Sequence, residues 1–593
     1  MSSVAPIEVK VYEPRPVSIG SMVFPETNTH HRASSIDDAD QALIELESQK
    51  LNWNRLPYSE KISLLDEALH DLDGLGEAWV SASLKARGIN PGGFAEGEEW
   101  FIFGAVVRLV RLMRKSLSDT VKYGHPIPFG NITTNINNQI SVPAFPTSTM
   151  EKILFTNHHA ETWLESNVTQ EELFKIAPKG SGRLTLALGA GNTGVSPCAD
   201  LLHFLFIESD VVLLKMNPVN DYLGPILEQG FNGLIRHGFL RILYGGKELG
   251  SYLCEHPLVN HIHMTGSDKT FELLVFGSGE EGLQRKTTNT SRLTKSITAE
   301  LGCVNPLILV PGSWKAKDFQ RAALMVATWL SSNSGYNCLT PRLVITQKNW
   351  TGRQSFLQAL RQLLAVTPVR PAYYPGSDEN RNKFLAAHPE AELYTFQGPP
   401  NEADGTVEAL PITFIPNLDP DSYHDVCFTN EPFGMLISET AIEADSPSDF
   451  LSKATDFLNQ HVWGTLSITM MTPAQVESDK QTQQAIQKAI ASLNYGTICL
   501  NIFPGFVYTT ANTPWGGFPN HTFDDIQSGV GFINNPLGLN RPQKSIFYAP
   551  FQRIDPVSIR NRHLVEFCRR YVDLQFKPSI KNMLKVLWMA LRA

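Results

Sequence analysis

The sequence contains no Cys-x-x-Cys pair. Its seven cysteines, at positions 198, 254, 303, 338, 427, 499 and 568, are odd in number and widely scattered. That argues against a zinc ribbon or a disulfide framework and favours a reducing compartment. A basic excess is also missing: 50 Lys and Arg stand against 59 Asp and Glu, for a net charge of −9. A nucleic-acid partner is therefore not expected. No stretch approaches the roughly eighteen apolar residues of a membrane span. The opening residues "MSSVAPIEVKVYEPRPVSIG" lack a basic segment followed by an apolar one. No secretory leader is expected, and the cytoplasm is the expected location. Internal repeats and low-complexity tracts are absent.

What is present is ordinary globular material in quantity: 593 residues, 42% hydrophobic and 18% charged. That length predicts two or three lobes. Residues 1–37, bearing Pro, Ser and His without a period, read as a tail. From 38 to about 118 the period is helical, and from about 119 to 150 the chain reads as extended. Alternation then begins. "LTLAL" (184–188), "VVLLK" (211–215), "FLRILYGG" (239–246) and "VNHIHMTG" (259–266) read as buried strands separated by helices. This pattern predicts an α/β fold with a parallel sheet, whose ligands sit at the carboxyl ends of the strands. Those ends carry Asn192, Lys215 and Thr265-Gly266-Ser267. The polar run 277–295 reads as a loop or hairpin. "FQRAALMVATWLSS" (319–332) is a helix with one apolar face, and "RLVIT" (342–346) opens a second αβ lobe.

Between that helix and that strand lies "SGYNCLTP", with Cys338 on a turn. A free cysteine is more often a core filler than a nucleophile. A reactive one must be partly exposed, near positive charge or backbone donors. Glu300, in "AELGC", precedes a glycine at a strand end, where a carboxylate can reach a cleft as a general base.

Taken together, the region from about 150 to 535 resembles the aldehyde dehydrogenase superfamily. "ELGC" is similar to the family's Glu-Leu-Gly-Gly motif, with Glu300 in the general-base position. Cys338, 38 residues later, occupies the nucleophile's position. "EPFG" is similar to the Glu-x-Phe-Gly motif, so Glu431 and Phe433 are implied to hold the nicotinamide ribose. "MTGS" matches the turn beside the cofactor phosphates through Gly266 and Ser267. Lys215 matches the lysine that reaches the adenosine ribose, and Asn192 the oxyanion-hole asparagine. "PWGGFPNHTFDDIQSGVG" resembles the late Pro-Phe-Gly-Gly segment, placing Trp515 in its aromatic, substrate-pocket position. Departures mark a divergent branch. Ala190-Gly191-Asn192 replaces Pro-Trp-Asn, Cys303 replaces the second glycine, and Pro218 replaces the common ribose-binding glutamate. A carboxylate there would favour NAD over NADP, so either cofactor is implied.

The resemblance implies a Rossmann-type cofactor-binding lobe, an α/β catalytic lobe, and a bridging or oligomerisation element. The expected boundaries are 1–37 for the tail, 38–301 for the N-terminal helices and NAD(P) lobe, 302–510 for the catalytic lobe, and 511–593 for the bridging segment and an amphipathic extension. The implied activity is oxidation of an aldehyde to a carboxylic acid through a cysteine thiohemiacetal and a thioester. A CoA-linked acyl-thioester reductase and a non-catalytic cofactor-binding scaffold are the rivals. A homodimer or homotetramer is the implied assembly. His261 and His263 share one strand face without a third ligand and read as packing, and no metal is expected. Cys303 is expected to be structural. Residues 579–593, "SIKNMLKVLWMALRA", carry apolar residues at helical spacing with Lys581, Lys585 and Arg592 mostly on other faces. This segment reads either as a helix docked on its own fold or as a peripheral membrane contact.

Overall fold

The computed structural model describes residues 31–174, 182–396, 409–551 and 556–593. Most of the expected tail, residues 1–30, lies outside the described residues. The first helix already begins at Ile36, where Ser35 and Asp38 form a capping box.

Seventeen described strands follow in chain order: β1 (Thr133–Thr134), β2 (Ile140–Phe145), β3 (His159–Leu164), β4 (Leu184–Leu188), β5 (Val211–Lys215), β6 (Leu240–Leu243), β7 (His261–Gly266), β8 (Ser296–Leu301), β9 (Pro306–Leu309), β10 (Leu343–Gln347), β11 (Glu392–Tyr394), β12 (Ile412–Leu418), β13 (Leu436–Ile442), β14 (Ser467–Met471), β15 (Thr497–Leu500), β16 (Gly529–Val530) and β17 (Pro542–Tyr548). They form two sheets. The smaller has the order β16-β8-β7-β4-β5-β6. All its pairs are parallel except β16 on β8. β4 and β5 are apolar along almost their whole length because helices cover both faces. The chain runs outward through β4, β5 and β6, then returns to the other side of β4 as β7 and β8. The gap between β4 and β7 is thus a topological switch point, where α/β sheets bind ligands.

The larger sheet has the order β1-β2-β3-β17-β15-β14-β9-β10-β13-β12-β11. Its middle, from β17 to β12, is parallel. β3 joins β17 antiparallel, with β2 and β1 beyond it. The strands from the 119–150 region and its neighbour therefore extend the larger sheet of the same chain. β17, in the expected bridging segment, is the strand that links them to it.

Four N-terminal helices, Ile36–Arg55, Tyr58–Leu72, Gly76–Ala86 and Phe94–Tyr123, pack on the small sheet and its helices. The longest ends on Gly124 at φ 85°, a left-handed position that favours glycine. Its buried Arg108 pairs with Glu151 and donates to the Thr510 carbonyl at 2.8 Å, tying this layer to the large sheet.

Two local expectations are corrected. Within 277–295, residues Gly279–Thr287 form a helix. Its Glu281–Arg285 pair at i, i+4 supplies support that a glycine-rich composition hides. The helical stretch between β5 and β6, expected as a helical connection between strands, is two helices, Gly224–Gly230 and Asn232–Arg236, broken where Phe231 turns fully into the core.

Candidate active site

The helix Ala316–Ser331 ends in a tight turn, with Asn333, Ser334 and Gly335 all at positive φ. At Gly335 a side chain is excluded twice over. Its φ is 79°, and an added Cβ would lie 2.5 Å from the Gly434 carbonyl. The turn delivers Cys338 half-buried, whereas the other six cysteines are buried. From the end of β8, Glu300 meets it: the Cys338 thiol donates to Glu300 Oε1 at 3.0 Å.

This pair sits in a dry, acidic setting. Glu300 is 2% exposed, and its Oε2 has no hydrogen-bond partner among the described residues. Burial pushes its pKa up to about 7, opposed by the Cys338 thiol and the facing Trp515 indole N–H. The indole nitrogen itself stays short of hydrogen-bond geometry. Glu431 is pushed up to about 8, again by burial first, with Arg342 opposing. An added Cβ at Gly302 would overlap Glu431 Oε2, so the glycine after Glu300-Leu301 leaves room for that carboxylate. Burial and then Glu300 drive the Cys338 thiol well above its ordinary pKa. The thiol therefore needs a nearby base to become a nucleophile, and Glu300 is within reach.

Asn192, in the turn after β4, donates from Nδ2 to the Tyr336 carbonyl at 2.9 Å. Its amide is held beside the cysteine turn by that bond. Its own main-chain carbonyl accepts from Asn333 Nδ2 at 2.8 Å and from the Tyr373 hydroxyl at 3.1 Å. Phe433, at φ 36°, packs on Tyr336 and Tyr374 with ring centroids 5.7 and 4.9 Å away. Trp515 is 1% exposed, edge-on to Tyr508 at 5.1 Å, and lies beside Glu300. Cys303 is wholly buried, receives the Asn305 N–H at 3.3 Å and packs against Gly464, in keeping with a structural role.

Lys215, Gly266 and Ser267 form a separate rim at the carboxyl ends of β5 and β7. Burial lowers Lys215 to about 8, and its ammonium donates to the Met216 carbonyl at 3.3 Å. Ser267 caps the nine-residue helix Asp268–Phe276, and it and Gly266 are exposed. A helix N-terminus with open backbone donors at a switch point suits a phosphate. These residues fit a dinucleotide, and the orphaned Oε1 of Glu431 fits a sugar hydroxyl.

Three residues at the site escape sequence reasoning. Arg342, 1% exposed, donates to the carbonyls of Gly335, Asn337 and Gly434 and so locks the cysteine turn to the Glu431 loop. Asn305 ties the β8–β9 turn to the Cys338 carbonyl at 2.6 Å. Asn333 holds the Tyr336 carbonyl at 3.0 Å. Arg342 follows "CLTP" closely enough to be suspected. The two asparagines have no signal apart from their left-handed φ. His261 and His263 lie inside the small sheet, bonded to Ser296 and Thr298. Among the described residues one group, His388, Asp425 and Cys427, has metal-ligand chemistry within 4.8 Å. Both nitrogens of His388 already face carboxylates, of Glu390 at 2.9 Å and Asp425 at 3.1 Å.

The fold is shared with solved aldehyde dehydrogenases. One, from Mycobacterium tuberculosis in complex with NAD+, superposes with a TM-score of 0.58 at 17% identity, covering 87% of this chain and 91% of that one. The NADP-dependent glyceraldehyde-3-phosphate dehydrogenase of Bacillus halodurans, complexed with NADP, gives 0.56 at 16%, covering 87% and 92%. The model of the aldehyde dehydrogenase family matches residues 234–378, a span holding both Glu300 and Cys338. The N-succinylglutamate 5-semialdehyde dehydrogenase of Sphingopyxis alaskensis is 26% identical over 174 residues, 29% of each protein. The chain shares the fold of these solved aldehyde dehydrogenases, and one segment of it is similar to the family's model. Its matched stretches span 29% and 66% of the lengths of two curated relatives, less than two thirds of either.

Proposed function

We propose that the protein oxidises an aldehyde to a carboxylic acid with NAD or NADP as electron acceptor. The observation that carries the reading is the 3.0 Å contact between a half-buried thiol and a buried carboxylate. Glu300 takes the Cys338 proton, and the sulfur forms a bond to the aldehyde carbon. The side-chain amide of Asn192 and the main-chain N–H of Cys338 meet the developing alkoxide. Such preorganised donors are worth roughly 3–4 kcal/mol each. Lys215, Gly266 and Ser267 would hold the adenosine ribose and phosphates of a bound dinucleotide, Glu431 and Phe433 its nicotinamide ribose, and the nicotinamide would supply the acceptor for the electron pair leaving carbon. Ionised Glu300 then removes a proton from water, which attacks the thioester. The C–S bond breaks, and the acid and the thiol are released. Besides the dinucleotide and water, an aldehyde is the small-molecule partner this chemistry needs.

Glu300 favours water over CoA as acyl acceptor, because thiolysis by CoA needs no base for water. The test is formation of NADH or NADPH at 340 nm over short, aromatic and long-chain aldehydes, with and without CoA. Turnover without CoA is expected. Turnover only with CoA would replace the proposal by the acylating reductase, and cofactor binding without turnover would replace it by the scaffold. Homodimer or homotetramer assembly belongs to the same proposal and is measured by light scattering.

The proposal extends to a lipid surface. The helix Ile580–Ala590 docks on the preceding helix Leu564–Phe576, burying Met583, Val586 and Met589. It also presents a second apolar stripe outward: Ile580, Leu584, Trp588 and Leu591 are 56–71% exposed. Lys581, Lys585 and Arg592 lie between the two stripes on the helical wheel. An exposed aliphatic strip with an indole, edged by lysines, fits an anionic membrane interface. No described helix is long and apolar enough to cross a membrane. The protein is expected to co-sediment with phosphatidylserine-containing vesicles, and Leu584→Glu with Trp588→Glu to weaken this by about tenfold or more. Equal binding by this variant would remove the helix from the account.

A further inference from the structure

The turn after β4 carries Asn192, and little in its own residues holds it still. It runs Ala190, Gly191, Asn192, Thr193, with neither a proline nor an aromatic ring. Proline would fix a φ, whereas glycine loses more freedom on ordering than any other residue. A side chain at 191 would collide with Asn217, whose Oδ1 would lie 2.7 Å from the added Cβ. That oxygen is itself held by the Val219 N–H at 3.1 Å. An amide that meets a developing alkoxide at hydrogen-bond distance needs a fixed turn behind it.

The stiffness comes from distant parts of the chain. Asn220, 1% exposed, donates from Nδ2 to the carbonyls of Ala190 at 2.8 Å and Thr193 at 3.2 Å, pinning both flanks of Asn192. Asn333 Nδ2 donates to the Asn192 carbonyl at 2.8 Å and to the Tyr336 carbonyl at 3.0 Å. The Asn192 side chain donates to that same Tyr336 carbonyl at 2.9 Å. A closed ring results, running from the Asn192 carbonyl through the Asn333 amide and the Tyr336 carbonyl to the Asn192 amide. It fixes the residue at its main chain and at its side chain. A side-chain amide has two N–H bonds. In Asn192 one is spent on Tyr336, and the other remains for a substrate oxygen.

Tyr373 locks the ring from outside. Its hydroxyl donates toward Asn333 Oδ1 at 2.7 Å and toward the Asn192 carbonyl at 3.1 Å, one hydrogen serving two acceptors. Because the phenol faces the amide oxygen of Asn333, the amide nitrogen is turned toward Asn192 and Tyr336. The phenol ring is held in turn, with the Arg87 guanidinium 4.8 Å from its centroid and Tyr336 edge-on at 5.1 Å. Arg87 closes the helix Gly76–Ala86 and pairs at 2.7 Å with Glu99 of the helix Phe94–Tyr123. From that same helix, Glu98 Oε1 accepts the Asn333 N–H at 3.0 Å, and its Oε2 meets Arg370 at 3.2 Å. The N-terminal helices therefore reach Asn192 through one intervening residue, Asn333 or Tyr373.

We propose that Tyr373 and Asn333 are positioning residues for Asn192, holding its amide where the substrate oxyanion forms and supplying the rigidity that the Ala-Gly-Asn turn lacks. Both act through Asn192 and not on the substrate. Glu98 and Arg87 anchor them to the N-terminal helices.

The inference rests on the oxidation reading, and its test needs neither a dinucleotide nor the identity of the aldehyde. p-Nitrophenyl acetate acetylates a reactive thiol. Glu300 takes the Cys338 proton, the S–C bond forms, the carbonyl oxygen becomes an oxyanion, and the C–O bond breaks to release p-nitrophenolate. The burst of p-nitrophenolate is measured against ester concentration, and peptide mapping locates the acetyl group. Asn192→Ala should lower the limiting burst rate by about 10²–10³, the cost of removing an oxyanion donor. Tyr373→Phe keeps the ring and deletes the hydroxyl. Asn333→Gly keeps a left-handed backbone, at φ 51°, and deletes the amide. Each should lower the limiting rate about tenfold or more while the half-saturating ester concentration moves less than about twofold. Added to Asn192→Ala, each should cost less than about twofold further, because groups acting through one residue are not additive. A packing defect would instead cost the same in both backgrounds, and that result overturns the positioning role. A wild-type rate in either Tyr373→Phe or Asn333→Gly also overturns it, and leaves the oxidation proposal standing. A wild-type rate in Asn192→Ala overturns the oxyanion step and the inference with it. A wild type that gains no acetyl group on Cys338 overturns the oxidation proposal itself.

Discussion

Cys338→Ala is expected to remove aldehyde oxidation on the order of a million-fold, the scale seen when a covalent nucleophile is deleted. The size follows from the division of labour at the site. Without sulfur no bond forms to the aldehyde carbon, and neither Glu300 nor Asn192 can replace it. The fold should tolerate the change. Cys338 is half-buried, and its thiol bonds the Glu300 side chain. The variant removes a proton donor from a carboxylate, Glu300, that burial already pushes up to about 7. Glu300 then holds its own proton more often near neutrality, and thermal stability should change by no more than about 1–2 kcal/mol. Steady-state 340 nm assays read the loss, and fluorescence quenching by added NAD or NADP checks that the cofactor still binds. An alanine variant with wild-type turnover would make Cys338 a bystander.

Glu300→Gln carries the second large effect, and a different kind. The amide keeps the shape and can still accept from the thiol, but it cannot take a proton from water. Deacylation is expected to fall by about 10²–10⁴, while attack loses its base but also the carboxylate charge that, after burial, holds the thiol protonated, and so loses less. Enzyme and acyl group should therefore remain joined. The pH dependence follows the same logic. A base acts only when ionised, so with a pKa near 7 the wild-type rate rises with pH through neutrality and levels off above it. In the glutamine variant this limb should flatten. A persistent limb near pH 7 in Glu300→Gln would assign it to another group. Glu431, pushed up to about 8, is the first candidate.

Much of this was legible in the residues before any coordinates. The apolar runs at 184–188 and 211–215 read as buried parallel strands because nothing polar interrupts them, and they are β4 and β5. The alternation of strand and helix put Lys215, Gly266 and Ser267 at the carboxyl ends of strands; the switch point appears only in the strand order. The local order of "AELGC" and "SGYNCLTP" named Glu300 and Cys338, though not that they touch. What stayed hidden was whatever depends on register or on distant partners. His261 and His263 read as strand packing, and their partners Ser296 and Thr298 appear only when β8 is laid beside β7. Arg342 gains meaning only when the Gly434 carbonyl folds back onto it. The C-terminal segment shows the limit in another way. Its apolar positions are visible in the sequence, but their division into a docked stripe and an exposed one is set by the helix Leu564–Phe576 beneath.

The most direct test of the whole account is the mass of Glu300→Gln after mixing with an aldehyde substrate and NAD or NADP, without CoA, followed by peptide mapping. The account predicts one added acyl group, two hydrogens lighter than the intact aldehyde adduct, located on Cys338 and absent from Cys338→Ala. No adduct under conditions where the wild type turns over, or an adduct on another cysteine, would contradict it.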